Sequence, residues 1–413
     1  MSEIPTDFCI VGAGPAGLTL ALLLLRSGAR VTVLERSRSL EREYRGEILQ
    51  PGGQALLHDL GVLDGARARG CYEHDRFLLE ENGRILINGD YRKLPGPFNC
   101  LLSIPQQHIL QELLEQCRTH TEFEYLEATK CSTLIVDGAG QVRGAMGRGP
   151  AGDQVVHAHC VIGADGRYSK VRRLAGVEYD RMEAFDQDVL WFKLPADGDL
   201  PHDVRIFRAG GNPALAYASY PGSIQIGWTL PHKSYQQQAA LGLDHIKAQL
   251  CGAVPEQADR IQAEITSFKD LSLLDVFSGT AREWAKPGLL LIGDSAHTHG
   301  PIGAQGINVA IQDAVAAHPV LLASLRAGDA GTDFLNRFAT PRRHDVRRMM
   351  KIQAMQGKAM LSTGTISSVV RPRMAMLVSH TRLYHTVLNQ LAFGNQTIRI
   401  RHELFGPGQQ SPR

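Results

Sequence analysis

The chain has 413 residues, of which 43% are hydrophobic and 21% charged, a composition within the range of soluble globular proteins. It is long enough for two or three domains and a large core without disulfide or metal staples. Lys+Arg 44 against Asp+Glu 42, interspersed along the chain, leaves a net charge of +2 and argues against a dedicated electrostatic nucleic-acid binder. The seven scattered cysteines form no Cys-x-x-Cys pair, which speaks against structural zinc. The N-terminus is acidic where a secretory signal would be basic. The longest apolar run, Leu18–Leu25, is far shorter than the ~20 residues that span a bilayer. A cytoplasmic protein without a transmembrane segment is expected.

The first element is the apolar run Asp7–Val11, which enters Gly12-Ala13-Gly14-Pro15-Ala16-Gly17 and a helical run, Leu18–Arg26. After a turn at Ser27-Gly28-Ala29, the β-branched stretch Arg30–Glu35 reads as a second strand. This is a βαβ unit with a glycine-rich first turn. Gly12 permits the tight turn, Gly14 lets the backbone approach a pyrophosphate, and Gly17 lets helix and strand pack closely. The free N–H groups of the helix start favour the diphosphate. Glu35, at the end of the second strand, is placed to accept from the hydroxyls of a ribose, as in FAD or NAD, and disfavours a 2′-phosphate.

Beyond residue 40 the pattern loosens. Pro105–Cys117 reads as a helix, with Ile109, Leu110, Leu113 and Leu114 on its apolar face. Strands are expected at Glu122–Leu126, Ser132–Val136, Gln141–Met146 and Gln154–Ile162. A strand-rich stretch follows, with Val189–Leu194, Val204–Phe207, Leu215–Tyr220 and Ser223–Leu230 as its strands and a helix near Leu243–Cys251. The chain turns helical after Gly303, with one break at Arg371-Pro372-Arg373 and a disordered tail from Gly406 to Arg413.

Two further motifs carry chemistry. Val161-Ile162-Gly163-Ala164-Asp165-Gly166, followed by Ser169 and Arg172, is a strand running into an Asp-Gly turn. Gly288 to Asp313 contains a buried strand ending at Gly293-Asp294, then a loop from Pro301 that opens a helix at Gly306-Ile307-Asn308. Asp294 can accept from a ribityl or ribose hydroxyl. The backbone amides of Gly306, Ile307 and Asn308 suit an anionic carbonyl locus such as flavin N1–C2=O.

These three motifs, in this order, resemble those of the class A flavoprotein monooxygenases of the p-hydroxybenzoate hydroxylase fold. The resemblance covers roughly residues 5–340. It implies an α/β fold: a Rossmann-like FAD-binding domain, a β-sheet substrate domain and C-terminal helices. The FAD-binding domain would comprise residues 1–75, 101–180 and 280–340, and the substrate domain 76–100 and 181–279. A helical segment, 341–405, and the tail 406–413 would complete the chain. Cofactor contacts are implied for Gly12, Gly14, Ala16, Gly17, Glu35, Arg36, Arg45, Gln107, Asp165, Asp294, Pro301, Gly303, Gly306, Ile307 and Asn308. Arg45 and Pro301 stand where the family places groups beside the reacting face of the flavin. Gln107 replaces a common arginine and Ala304 a common glycine. The implied reaction uses NADPH or NADH as a transient donor and O₂ to form a flavin C4a-hydroperoxide, which hydroxylates an electron-rich aromatic molecule. The implied enzyme is a compact single component, a monomer or homodimer, without the extra C-terminal thioredoxin-like domain of some relatives.

Tyr217, Tyr220 and Trp228 either line a substrate pocket or pack the sheet. His297 and His299, two residues apart without a third ligand, are not a metal site, and His297 is expected as a structural neighbour of the flavin. Arg342-Arg343-His344, Arg347-Arg348 and Lys351 read as a solvated helix face. A halogenase shares the fold, but the stretch Ile226-Gly227-Trp228-Thr229-Leu230-Pro231 lacks the first Trp of the halogenase Trp-x-Trp-x-Ile-Pro strand. A geranylgeranyl-type reductase and a non-catalytic flavin-binding protein are the remaining alternatives.

Overall fold

Ser2–Val11 forms strand β1, whose Phe8, Cys9 and Ile10 are fully buried, as a central parallel strand covered on both faces requires. In the computed structural model, which describes residues 2–41, 47–182, 187–196, 198, 200–208, 212–361, 373 and 381–408, it is followed by helix α1, Pro15–Arg26. Ten successive residues of α1, Ala16 to Leu25, are buried, so this helix is enclosed on all sides. Strand β2 (Val31–Leu34) completes the βαβ unit. The loosely patterned stretch that follows contains helix α2 (Pro51–Asp59) and the hairpin β3 (Arg76–Glu81) and β4 (Arg84–Asp90). Helix α3 (Gln106–Arg118) precedes β5 (Phe123–Leu126), β6 (Lys130–Val136), β7 (Val142–Gly149) and β8 (Gly152–Gly163). Helix α4 (Lys170–Leu174) closes this half.

Next come β9 (Gln187–Pro195), β10 (Asp203–Arg208), β11 (Ala214–Ser219) and β12 (Ser223–Pro231). Helices α5 (Leu243–Ala253) and α6 (Ala258–Glu264) lead to β13 (Ser272–Leu274), β14 (Ala285–Lys286) and β15 (Leu289–Leu291). Helices α7 (Gly306–Ala327), α8 (Thr332–Leu361) and α9 (Arg382–Phe393) follow. Helix α8 runs unbroken through Pro341, so the expected boundary at 341 falls inside a helix. The expected break at Arg371-Pro372 and the tail residues 409–413 lie outside the described residues. Gly406 is bonded through its N–H to the Arg26 carbonyl at 2.8 Å.

Two sheets organise the chain. The first, of eight strands, runs β14–β15–β8–β1–β2–β5, with β7 joined to β8 and β6 to β7. Its parallel register aligns Val11 with both Gly163 and Leu34, and Gly163 with Leu291. All three glycine motifs and Glu35 therefore leave the sheet side by side at the carboxyl ends of parallel strands, where open α/β sheets bind ligands. The second sheet runs β13–β9–β12–β11–β10–β3–β4. One of its faces carries Leu190, Phe192, Ile226 and Trp228 and packs under α5 and α6. The opposite face carries Val189, Trp191 and Tyr217 and shares a hydrophobic cluster with Ile48, Ile302 and Ala392. Among the described residues one helical stretch, Ile302–Ala327, is long and apolar enough to cross a membrane by length and composition, but two-thirds of its apolar window is buried inside the molecule.

Candidate active site

The first turn shows which glycines the protein itself demands. Gly12 has φ +109°, and a Cβ there would lie 2.5 Å from the Ala164 carbonyl oxygen. A Cβ on Gly17 would lie 2.0 Å from the Gly12 carbonyl oxygen. Both positions need glycine for conformation or close approach. Gly14 differs: a Cβ there would meet no atom of the described residues within 4 Å, and the same holds for Gly306 at the start of α7. At these two positions bare backbone faces open space, which is what close approach of a diphosphate and a flavin ring requires. Among the described residues no side chain caps α1 or α7, so their first-turn amides are open to a ligand. These residues fit FAD.

Glu35 is 3% exposed and does more than wait for a ribose. One carboxylate oxygen accepts from Ala13 N at 2.8 Å and the other from Ser37 N at 2.9 Å, so Glu35 also fixes the glycine turn. Arg36 is exposed beside it, and Gln107 sits half-buried in the first turn of α3. Asp165 is committed to its own turn: it accepts from the Ser169 hydroxyl and from the N–H groups of Lys170 and Val171, which begins α4. Arg172 joins the second motif to the third, donating to the Ser295 carbonyl at 2.8 Å and to the Arg167 carbonyl at 2.9 Å.

In the third motif, Asp294 alone among residues 288–300 is not buried, and Arg167 approaches its carboxylate at 3.3 Å. A Cβ on Gly293 would stand 3.1 Å from the Ala16 Cβ, so Ala16 packs the first motif against the third. The following loop holds two successive left-handed residues, Gly303 at φ +73° and Ala304 at φ +49°. For Ala304 this conformation is strained, the consequence of alanine where glycine would sit freely. Pro301, Gly303, Gly306 and Ile307 are half-buried along this loop. Asn308 is buried, and its side chain is spent internally: Oδ1 accepts from Gln50 N at 3.0 Å and Nδ2 donates to the Ala304 carbonyl at 2.7 Å. Gln50 also donates through Nε2 to the Gly303 carbonyl at 2.9 Å. Arg45, expected beside the flavin, lies outside the described residues.

Beneath the loop is a buried polar chain. Asp313 accepts from Gly293 N at 2.8 Å, from Arg342 Nε at 2.6 Å and from His297 Nε2 at 2.6 Å. His297 Nδ1 meets His299 Nε2 at 3.0 Å, and His299 Nδ1 meets Gln353 Oε1 at 2.8 Å. All four ring nitrogens are engaged within the protein, which leaves none for a metal. Arg342 corrects the sequence reading. It is 4% exposed rather than part of a solvated face, because its guanidinium turns inward onto Asp313.

The face of the second sheet that clusters with Ile302 carries unpaired polar atoms. The Trp191 indole N–H and both amide atoms of Gln225 are buried without a hydrogen-bond partner among the described residues, whereas the buried Tyr217 hydroxyl lies against the Glu47 backbone. Tyr217 pairs in register with Gln225, which pairs with Lys193 on the next strand. A Cβ on Gly227 would meet the Trp191 ring at 2.7 Å, so this glycine lets the indole lie across β12 toward Tyr217, its ring 6.4 Å away. Lys193 and Ser219 both bind the buried Glu47, at 2.9 and 2.6 Å. Burial and the Glu47 carboxylate push the Tyr217 phenol well above its ordinary range. The three aromatics considered from sequence therefore separate. Tyr217 faces the cluster with Ile302. Trp228 is corrected to the opposite face, packed under α5 and α6, away from the site. Tyr220 lies past the end of β11, against Gly70 and His108. Trp191, Gln225, Gln50 and Gln353 were not singled out from sequence, although Gln225 is conspicuous as an amide between Ile224 and Ile226 in an apolar strand.

Residues 5–353 match the family model described as FAD binding domain. A 6-methylpretetramide 4-monooxygenase of Streptomyces rimosus is 63% identical over 404 residues, 98% of this chain and 96% of that protein. The 3-demethoxyubiquinol 3-hydroxylase of Escherichia coli is 26% identical, over 86% of this chain and 88% of that one. Among solved structures, p-nitrophenol 4-monooxygenase from Pseudomonas putida superposes with a TM-score of 0.76 at 21% identity, covering 94% of this chain and 99% of that one. A flavin-dependent halogenase superposes with a TM-score of 0.74 at 17% identity, covering 91% of this chain and 72% of that one, so the fold alone does not separate the two chemistries.

Proposed function

The chain belongs to the FAD-binding-domain family and is an FAD-dependent monooxygenase, and on that premise we propose that its substrate is 6-methylpretetramide or a closely related aromatic molecule, hydroxylated on a ring carbon. The observation that carries the proposal is the 63% identity to the Streptomyces rimosus enzyme across nearly the whole of both chains. The eight-stranded sheet is assigned to FAD and the seven-stranded sheet to the substrate.

Bound FAD would supply the redox chemistry, hydride acceptance from NAD(P)H and activation of O₂ for transfer of one oxygen atom to the substrate. The residues of this chain bind and orient. Gly14 and the open start of α1 take the diphosphate, Glu35 takes a ribose hydroxyl, and Asp294 takes the ribityl chain. The amides of Gly306, Ile307 and Asn308 stabilise negative charge on the ring. Pro301 and Gly303 would border the reacting face of the flavin. On the substrate side, the Trp191 N–H and the Gln225 amide are buried donors and acceptors that need partners, since an unpaired buried polar group costs about 1–3 kcal/mol. A phenolic or carbonyl edge of an aromatic substrate supplies them.

The test incubates FAD-loaded protein with 6-methylpretetramide and, in parallel, with simple aromatic acids and phenols, while following NAD(P)H oxidation. Oxidation accelerated at least tenfold by 6-methylpretetramide alone, with a monohydroxylated product, supports the assignment. Equal response to the simple phenols overturns the substrate assignment.

A further inference from the structure

The chain of contacts beneath the Pro301 loop calls for one hydrogen more than its residues ordinarily carry. Gln353 sets its direction. Its Nε2 donates to the carbonyls of Gly300, at 3.2 Å, and Ile302, at 2.6 Å. Carbonyls only accept, so Oε1 must be the atom that faces His299, and His299 Nδ1 must carry a hydrogen. The contact between His299 Nε2 and His297 Nδ1 needs a second hydrogen, and that between His297 Nε2 and Asp313 needs a third. An ionised carboxylate and two neutral imidazoles supply only two.

The surplus proton has one place to reside. Asp313 accepts from Arg342 Nε at 2.6 Å and from Gly293 N at 2.8 Å, two donors that favour the ionised carboxylate over the protonated one. Burial pushes His299 down to about 3, so its ring stays neutral. That leaves His297, whose ring lies 5.0 Å from Trp284 with no water-exposed edge. Asp345, 3.6 Å from Arg342 Nη1, and Arg343, whose guanidinium lies 5.6 Å from the Trp284 ring, also stand nearby, but both are partly exposed, where water screens them.

We propose that His297 is a positioning residue held as a buried imidazolium, and that His297 and Arg342 together set two positive charges against the single carboxylate of Asp313 beneath the Gly293 and Gly300–Ile302 turns, biasing the site toward the reduced, anionic flavin. Hydride delivery brings two electrons and one proton, so the ring gains one negative charge. A fixed positive charge in a dry interior acts on that charge at distances where water would screen it.

Histidine ¹⁵N spectra of the ¹⁵N-His-labelled, FAD-free protein read the protonation directly. The expected result is one imidazole protonated on both nitrogens from pH 6 to pH 8.5, absent in His297→Gln. The flavin midpoint potential supplies a second readout. His297→Gln is expected to lower the ratio of reduced to oxidised FAD affinity about tenfold, which for a two-electron couple is about 30 mV more negative. His299→Gln, which keeps an acceptor for His297 Nδ1, is expected to leave the potential unchanged. A spectrum without a persistent doubly protonated imidazole overturns the assignment, and this measurement needs no variant to fold. An unchanged potential in FAD-loaded His297→Gln overturns the electrostatic role.

Discussion

The Arg342 guanidinium donates through Nε to Asp313 Oδ1 at 2.6 Å, and neither side chain is more than 4% exposed. Through this bond a residue of α8 holds the carboxylate that anchors the Gly293 turn. Removing one partner leaves a buried charge uncompensated, a loss of about 3–5 kcal/mol. Arg342→Met is therefore expected to lower the unfolding free energy by that order in urea titration. Arg348→Met, a change at an exposed arginine of the same helix, is expected to stay within about 0.5 kcal/mol of the parent.

Three buried histidines make stability fall in mild acid. Burial pushes His299 down to about 3 and His74 and His318 down to about 4. Their folded values lie below the ordinary value of about 6.5, so the unfolded chain takes up protons first as pH falls. Their contribution is complete above about pH 6.5 and declines as pH drops toward 4, by up to about 1.4 kcal/mol per pH unit for each group. Urea unfolding at pH 7.5, 6 and 5 measures the slope, and His318→Gln should make it shallower. A stability that rises between pH 6 and 5 would contradict this account.

The polar set on the second sheet yields a prediction in which two effects have opposite signs. Gln225→Leu removes an amide whose two ends are both unpaired, so unfolding free energy is expected to stay level or rise. Substrate binding, read from the perturbed flavin spectrum as 6-methylpretetramide is titrated, is expected to weaken roughly tenfold, about 1.4 kcal/mol. Parallel loss of stability and binding would make Gln225 a packing residue instead.

Much of the cofactor side was legible because each motif is contiguous: a strand, its glycine turn and the next helix are adjacent in sequence, and Gly12, Gly163 and Gly293 announce themselves locally. Contacts between distant segments left no such trace. Gln50 meets Gly303 and Asn308, and Arg342 meets Asp313, only after the chain has folded, so a run of arginines read as solvated surface when one of them points inward. The side of a strand is likewise a matter of register. Tyr217 faces the same way as Gln225 because the two are paired, and Trp228, three residues beyond Gln225, must then face the other way. Alternation of aromatics along the sequence could not supply that parity without knowing where β11 ends and β12 begins.

Glu35 tests the adenosine side of the cofactor site. Glu35→Gln keeps the size of the side chain and loses its charge. A hydrogen bond to a charged group contributes about 1.5–3 kcal/mol, so FAD dissociation is expected to increase between tenfold and about a hundredfold. Fluorescence of released flavin on dilution measures it. Retention equal to the parent would confine Glu35 to its bonds with Ala13 and Ser37.

The central claim is oxygen insertion supported by bound FAD. Its most direct test supplies ¹⁸O₂ to the FAD-loaded protein with NAD(P)H and 6-methylpretetramide, followed by mass analysis of the product. One ¹⁸O atom per product molecule, with one NAD(P)H consumed for each, is the predicted result. NAD(P)H consumption that ends wholly in hydrogen peroxide, or a product reduced but free of ¹⁸O, would contradict it.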